Sequence, residues 1–209
     1  MLVNDIKLDK VKTMGNFLNP DKENSFITLA NCKNKYLFVD KTSFIEITNN
    51  RLNKDNRFLA VTRPRRFGKT VTAHMLLAYY SKGYAGSKIF DDLHIANRVD
   101  YLEHLNKYDV IYIDMNTIDG LFDNYSNQKK KVEGVNDLVD YLEYSIINEL
   151  KLNNEFSECL EKHQVENTGL LKALSTLRNH LNTQFIFIMD EWDLIYRDYR
   201  NDTKLQEDF

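Results

Sequence analysis

Apolar residues recur at helical spacing in four segments of the chain. In the longest, 135–150, they fall at i, i+3, i+4, i+7 and onward, and leucines repeat in the same way over 170–181. A third segment, 42–48, follows Thr42 as a candidate cap, and a fourth begins at Val71 and closes before Lys82 and Gly83. These four segments are predicted to be helices.

Short apolar runs without helical spacing predict strands. They cover 36–39, 58–61, 110–113 and 185–189, and three or more apolar residues in a row are typical of strands buried on both faces. Because helices separate the strands, right-handed crossovers and a parallel sheet with helices on both faces are expected. The predicted fold class is α/β. The polar stretch 124–134 is predicted to be a solvated loop.

The length of 209 residues suits one domain, or one domain with an N-terminal extension. We place the extension at 1–56 and the core of the domain at 57–209. The net charge of −3 does not predict non-specific nucleic-acid binding. No apolar run reaches the roughly 18 to 20 residues that span a bilayer, and Cys32 and Cys159 match no metal-ligand spacing. A cytoplasmic protein without a membrane partner is expected.

The segment Thr62–Thr70 (TRPRRFGKT) lies between a predicted strand and a predicted helix. At such a position backbone N–H groups and a helix N-terminus can bind a polyphosphate. Gly68 lets the backbone approach the phosphates, the Lys69 ammonium would reach the β and γ phosphates, and the Thr70 hydroxyl would ligate Mg²⁺.

This segment departs from the full phosphate-loop pattern G-x-x-x-x-G-K-[ST]. Arg63 stands where the first glycine belongs, and Pro64 removes one N–H donor. The tripeptide Gly-Lys-Thr is weak by itself, so the alternative is an ordinary helix start with an exposed lysine. The arginines of the loop are open to two interpretations: phosphate contacts, or solvated charges beside an anionic ligand.

A pair of carboxylates ends the last predicted strand. Asp190 and Glu191 follow the apolar run 185–189, at the strand end where open α/β sheets bind their ligands. Asp190 could hold Mg²⁺ through water, and Glu191 could polarise an attacking water. Together with the loop, this pair predicts a nucleotide site, with Walker A at 63–70 and Walker B at 185–191.

Three segments together resemble the bacterial AAA-ATPase-like family: 36–42 (YLFVDKT), 62–70 (TRPRRFGKT) and 188–193 (IMDEWD). The resemblance covers about residues 26–198 and implies an ATP–Mg²⁺ site. In this family the early glycine is normally absent, which accounts for Arg63. The site assigned to this chain has Glu191 as the catalytic residue and Thr70 and Asp190 on the metal. Its nucleotide-binding residues are Arg65, Arg66, Phe67, Gly68, Lys69, Thr70 and Val71.

The resemblance also implies parts beyond Phe209: further strands with a sensor residue, a helical segment and often a PD-(D/E)xK nuclease-like domain. We therefore expect an incomplete α/β core. ATP hydrolysis is the predicted activity. A module that binds nucleotide without turnover, and a nucleic-acid-associated regulator using Arg63–Arg66 and Lys129–Lys131, are the alternatives. The roles of Asp40, Lys41 and Thr42 stay open between a structural turn and a direct function.

Overall fold

The structure is a computed structural model that describes residues 16–17, 24–32, 38–62, 64, 66–128, 134–165 and 169–209. The chain divides into two compact units. The first extends to Val110, and the second comprises residues 17–20 and Ile111–Phe209. The described chain contains both helices and strands, with several helices between successive strands, which is consistent with the α/β class. Among the described residues, no helix has both the length and the apolar character needed to cross a bilayer.

The first unit is mainly helical. Its helices are α1 (Ser25–Ala30), α2 (Ser43–Asn49), α3 (Lys69–Tyr80) and α4 (Tyr101–His104), with single 3-10 turns at Lys82–Tyr84 and His94–Asn97. Asn24 caps α1, because its Oδ1 accepts the N–H groups of Phe26 and Ile27 at 3.1 Å. The Asn24 amide also donates to the backbone carbonyl of His74 at 2.9 Å. One side chain therefore begins α1 and fastens it to α3.

Aromatic side chains form the core of the first unit. Phe26 stacks on Phe90 with ring centroids 5.3 Å apart, and Tyr79 meets Phe90 edge-on at 5.4 Å. Burial raises the pKa of Tyr79 to about 12, and its hydroxyl donates to the backbone carbonyl of Tyr101 at 2.8 Å. Large rings contribute much of the burial free energy of a core. This packing holds the C-terminal half of α3, whose N-terminus carries the candidate phosphate loop.

The second unit contains most of the sheet, with strand order β1-β2-β3. The strands of this sheet are β1 (Asn16–Phe17), β2 (Asp109–Asp114) and β3 (Phe185–Asp190). The helices of the second unit are α5 (Met115–Ser126), α6 (Leu138–Lys151), α7 (Asn154–Lys162), α8 (Leu170–Leu181), α9 (Leu194–Asp198) and α10 (Thr203–Asp208). Ile111 and Ile113 of β2 lie in one core cluster with Leu138 and Ile146 of α6 and Ile195 of α9. Helices therefore cover the central strand and leave its C-terminal end at the surface of the unit.

Most of the predicted elements are confirmed. Helices α2, α3, α6 and α8 and strands β2 and β3 lie within a few residues of their predicted bounds. Thr42 is the residue that precedes α2, as predicted, but its side chain makes no capping hydrogen bond. Helix α6 does have a side-chain cap, since Asp137 Oδ1 accepts the N–H groups of Val139 and Asp140 at 3.0 Å.

The predicted buried strand at 58–61 is wrong. These residues form no strand, and Phe58 is 79% exposed. The guanidinium of Arg57 lies 4.8 Å from the Phe58 ring centroid, so the ring contacts a cation at the surface and is not part of the core. Of the strand predicted at 36–39, Phe38 and Val39 are not in a strand, while Tyr36 and Leu37 lie outside the described residues.

The loop predicted at 124–134 is wrong at its beginning, because α5 continues to Ser126. Residues 129–133 lie outside the described part of the chain. Helix α5 buries only Met115, Ile118 and Tyr125. Three buried apolar residues, in a segment with a glycine near its centre, give too weak an apolar periodicity to predict this helix from sequence.

Candidate functional site

The candidate phosphate loop ends in a left-handed glycine. Gly68 has φ 79° and ψ 32° and directly precedes α3. Its carbonyl accepts both the N–H and the hydroxyl of Thr72 at 2.9 Å, which closes the first turn. Arg66 is also left-handed, with φ 68°, a conformation that costs energy for a residue with a Cβ. The chain therefore makes a tight turn into the helix at the predicted place.

The N-terminus of α3 carries no side-chain cap among the described residues. The first N–H groups of a helix have no partner inside the helix and carry partial positive charge. Lys69 and Val71 are half-buried and Thr70 is exposed, so the first turn is accessible from solvent. An uncapped N-terminus with a lysine and a threonine in its first turn suits an anionic ligand.

The predicted loop residues are only partly covered by the structure. Phe67 is 62% exposed and Arg66 is exposed, so neither side chain is needed for packing. Arg63 and Arg65 lie outside the described residues, and their predicted phosphate contacts stay predictions.

A second segment of the first unit lies against this loop. The Lys41 ammonium donates to the carbonyl of Phe67 at 3.1 Å, and a Cβ built on Gly68 would lie 3.4 Å from Lys41 Nζ. The sequence offered no role for Lys41. Its position beside the loop depends on folding across 26 residues of chain, which no local pattern encodes.

Asp40 and Thr42 form a compact hydrogen-bonded turn around Lys41. Asp40 Oδ1 accepts the N–H of Thr42 at 2.8 Å and its hydroxyl at 2.7 Å, and Oδ2 accepts the N–H of His94 at 2.8 Å. The N–H of Ile95 donates to Thr42 Oγ1 at 3.1 Å. Burial raises the pKa of Asp40, but the hydrogen bonds from His94 and Thr42 outweigh it and hold the pKa below its usual value.

A cavity of about 340 Å³ opens beside the loop, inside the first unit. Lys41, Arg66 and Gly68 contribute to its polar part. Gly68, Thr72 and Met75 line it from positions that share one face of a helix, so the cavity follows α3 for about 10 Å from its N-terminus. Its remaining walls are apolar and come from Phe26, Leu29, Phe38, Val39 and Val71. The volume and the mixed lining are in the range of small-molecule sites.

The predicted carboxylates lie at the end of β3 in the second unit. Asp190 is 7% exposed, and its Oδ1 accepts the N–H of Glu191 at 3.0 Å. Glu191 is left-handed, with φ 53°. Of the described non-glycine residues with positive φ, three are asparagines, which tolerate this region well. Glutamate does not, so the turn at Glu191 is a locally strained position of the kind found at functional sites.

Arg197 binds the side chain of Glu191. Its Nη1 lies 3.3 Å from Glu191 Oε2 and 3.7 Å from Asp193 Oδ2, and its Nε lies 3.1 Å from Asp198 Oδ1. Its Nη2 donates to Asn116 Oδ1 at 3.4 Å. Glu191 follows β3 and Asn116 follows β2, so one arginine shows that both strands end at the same edge. Arg197 was not among the predicted site residues, although its i,i+4 spacing from Asp193 is a signal of an ion pair on a helix.

No group of three or more His, Cys, Asp and Glu side chains within the described ranges could hold a metal ion alone. A metal held partly by nucleotide phosphates needs fewer protein ligands. The described residues therefore contain no all-protein metal centre.

Comparison with known proteins identifies the family of this chain. The sequence model of a family described as predicted AAA-ATPase matches residues 24–209. No curated protein and no solved structure matches the chain. The matched region includes the glycine turn at Gly68 and the carboxylates after β3, and it covers most of the sequence. The chain therefore belongs to the AAA-ATPase-like family.

Proposed function

We propose that this chain binds ATP with Mg²⁺ through a P-loop core and hydrolyses it. One observation carries the proposal: a left-handed Gly68 leads directly into an uncapped helix whose first two residues are Lys69 and Thr70. Membership of the AAA-ATPase-like family supports nucleotide binding by the same chain. The loop that ends at Thr70 and the carboxylates Asp190 and Glu191 lie in this order within the region that the family model matches. For this reason we assign both motifs to one nucleotide.

The loop would bind the phosphates by charge and by backbone donors. The N–H groups of the first turn of α3 point out along the helix axis, and the macrodipole adds positive potential there. Lys69 would provide a full charge for the β and γ phosphates. Val71 and Phe67 would border the bound phosphates, and Arg65 and Arg66 would add cationic contacts at the same loop.

Mg²⁺ fits the donor chemistry of the assigned residues. Thr70 offers an exposed hydroxyl in the first turn of α3, and Asp190 offers a carboxylate fixed by the N–H of Glu191. Both are the hard oxygen donors that this ion prefers, with phosphate and water oxygens completing its shell. When bound, the ion would neutralise negative charge on the phosphates.

Glu191 is the proposed catalytic residue. Its carboxylate would accept a hydrogen bond from a water and orient it toward the γ-phosphoryl group. Little covalent chemistry is asked of the protein, since positioning and charge stabilisation supply most of the rate enhancement in phosphoryl transfer. Arg197 would set where the Glu191 carboxylate lies, through their contact at 3.3 Å.

A second candidate function is a module that binds nucleotide without turnover. The observation that favours it is the same contact between Arg197 and Glu191. A carboxylate engaged by a guanidinium has fewer lone pairs available to accept a hydrogen bond from a water. If this pair persists with nucleotide bound, binding would proceed and hydrolysis would not.

The remaining assignments are proposals of the same kind. We propose a nucleotide-binding core at 57–209 with an N-terminal extension at 1–56, a doubly covered parallel sheet in that core, and a cytoplasmic location. A nuclease-like domain or another protein is the partner that the resemblance implies. Lys129–Lys131, which would serve direct nucleic-acid binding, lie outside the described residues.

The proposal is tested by removing the charge of Lys69. We expect Lys69→Ala to weaken ATP binding by about a hundredfold or more, because a cation is lost where several phosphate charges converge. Thermal stability should not change, since Lys69 forms no ion pair among the described residues. Titration calorimetry with ATP, GTP and a non-hydrolysable analogue, with and without Mg²⁺, measures the effect.

The control is Lys88→Ala, which removes an exposed lysine from the same unit outside the loop. It should leave ATP binding unchanged. Equal ATP affinity of Lys69→Ala and the unmodified chain, at equal melting temperature, contradicts the assignment of the loop.

A further inference from the structure

Three cations surround the candidate phosphate loop without a carboxylate partner. Lys41, Arg66 and Lys69 take part in none of the ion pairs among the described residues. Lys41 and Arg66 both line the cavity beside the loop. Two other basic side chains of this unit are paired, Lys82 with Asp109 at 2.5 Å and Arg98 with Glu46 at 3.7 Å, whereas others, such as Lys54 and Lys88, lie at the surface away from this cavity. Unneutralised positive charge concentrated at one cavity favours a polyanionic ligand.

Lys41 is brought to this cavity by its two neighbours. The Asp40 carboxylate accepts three hydrogen bonds, two from Thr42 and one from the backbone of His94. Thr42 is 0% exposed and accepts the N–H of Ile95. The backbone on both sides of Lys41 is therefore fixed to the 3-10 turn at His94–Asn97. The Lys41 side chain takes no part in these hydrogen bonds and extends to the candidate phosphate loop.

The ammonium of Lys41 has donors to spare at this position. Its described hydrogen bond goes to the carbonyl of Phe67, at 3.1 Å. An ammonium has three N–H donors and no acceptor, so within the part of the chain that the structure describes one carbonyl leaves two of them for solvent or a ligand. Because Lys41 Nζ lies 3.4 Å from the Cβ position of Gly68, an anion that approaches Gly68 closely also approaches Lys41.

The loop itself has a deficit of donors that Lys41 can offset. Arg63 replaces a glycine of the full pattern, which reduces close approach of the backbone, and Pro64 has no N–H. A phosphate loop built from fewer backbone donors needs positive charge from elsewhere. The fixed Lys41 supplies it from a separate segment of the chain.

We propose that Lys41 is a second phosphate-binding lysine of this chain, positioned by Asp40 and Thr42, and that it contacts the phosphate groups of a bound nucleoside di- or triphosphate. This proposal rests on the proposed function of the loop. It assigns the V-D-K-T segment a direct role in binding, and the hydrogen-bonded turn of Asp40 and Thr42 serves to aim Lys41.

The test compares Lys41→Met and Lys41→Arg with the unmodified chain. Calorimetry would be done with ATP, ADP and AMP. Methionine keeps an unbranched side chain without the charge, and arginine restores the charge. We expect Lys41→Met to bind ATP about tenfold to a hundredfold more weakly, which is the scale of a charge-assisted contact. ADP binding should fall less, AMP binding should hardly change, and Lys41→Arg should recover most of the ATP affinity.

Each outcome is decisive. Unchanged ATP affinity of Lys41→Met overturns the proposal while the proposed function stands. Equal loss for ATP, ADP and AMP together with a lower melting temperature also overturns it, since that result indicates a purely structural role. If the unmodified chain binds none of the three nucleotides, and Lys69→Ala behaves identically, the proposed function fails and this proposal fails with it.

Discussion

The strained backbone at Glu191 gives a prediction about stability that runs against the usual effect of glycine. A residue with a Cβ in the left-handed region costs roughly 1 to 2 kcal/mol, and glycine avoids this cost. Glycine in turn loses about 0.5 to 1 kcal/mol through the larger entropy of its unfolded chain. At φ 53° the first effect exceeds the second. We therefore expect Glu191→Gly to be more stable than Glu191→Gln by about 0.5 to 1 kcal/mol.

Comparing these two variants removes the ion pair from the result. Both lose the contact between Glu191 and Arg197 at 3.3 Å, so its contribution cancels. For a chain of this length, 1 kcal/mol corresponds to about 2 to 4 °C in melting temperature, and the expected difference is about 1 to 4 °C. Thermal and urea unfolding of both variants measures it.

Asp193 provides the matched control, because it lies two residues away with φ −76°. There glycine relieves no strain, so Asp193→Gly should be less stable than Asp193→Asn by about 0.5 to 1 kcal/mol. The reasoning is refuted if glycine lowers stability equally at 191 and 193. The same Glu191 variants should bind ATP normally and release phosphate no faster than Lys69→Ala, since a water-orienting carboxylate acts in the transition state.

Two further predictions concern single carboxylates. Asp190→Asn should weaken the Mg²⁺-dependent part of ATP binding about tenfold or more and leave the Mg²⁺-free part unchanged, because the carboxylate is proposed to act on the metal; equal loss in calorimetry with and without Mg²⁺ would indicate a structural role instead. Folding lowers the pKa of Asp40, so the unfolded chain binds the proton more tightly. The stabilisation should therefore be complete at pH values above the ordinary aspartate pKa of 3.8 and decline as the pH falls through the lower pKa of the folded state. Urea unfolding between pH 7 and pH 3 should show the stability of the unmodified chain converging on that of Asp40→Asn at the acid end; a constant difference over this range would contradict it.

Much of the fold was predictable where burial and capping agree with local sequence. Helix α6 combines an Asp137 cap with buried Leu138, Leu142 and Ile146 on one face, so propensity, cap and periodicity predict the same element. The run 58–61 has no such agreement. Four apolar residues in a row describe a buried strand and an exposed connection equally well, and only tertiary packing excludes Phe58 from the core.

The candidate site, like the fold, has features that the local sequence predicts and features that depend on tertiary packing. The conformation of Gly68 follows from local chemistry, because a tight turn into a helix requires the left-handed region that glycine occupies without strain. The contacts of Lys41 with Phe67 and of Arg197 with Asn116 join residues far apart in the chain. Such contacts depend on how elements pack, and a single sequence contains no local record of them. The family resemblance marked the Lys41 segment without explaining it.

The contact between Arg197 and Glu191 does not by itself distinguish hydrolysis from binding without turnover. The two side chains are 26% and 28% exposed, so water screens their attraction, and pairs of this kind contribute about 0 to 1 kcal/mol. Arg197 would also retain Asp198 and Asp193 if Glu191 turned away, which lowers the cost of separation further. A free-energy difference of 1 kcal/mol changes the population of released Glu191 by only about fivefold. A bound nucleotide and an attacking water would therefore displace the arginine at a small cost in free energy, and the resting ion pair is compatible with the proposed catalytic role of Glu191.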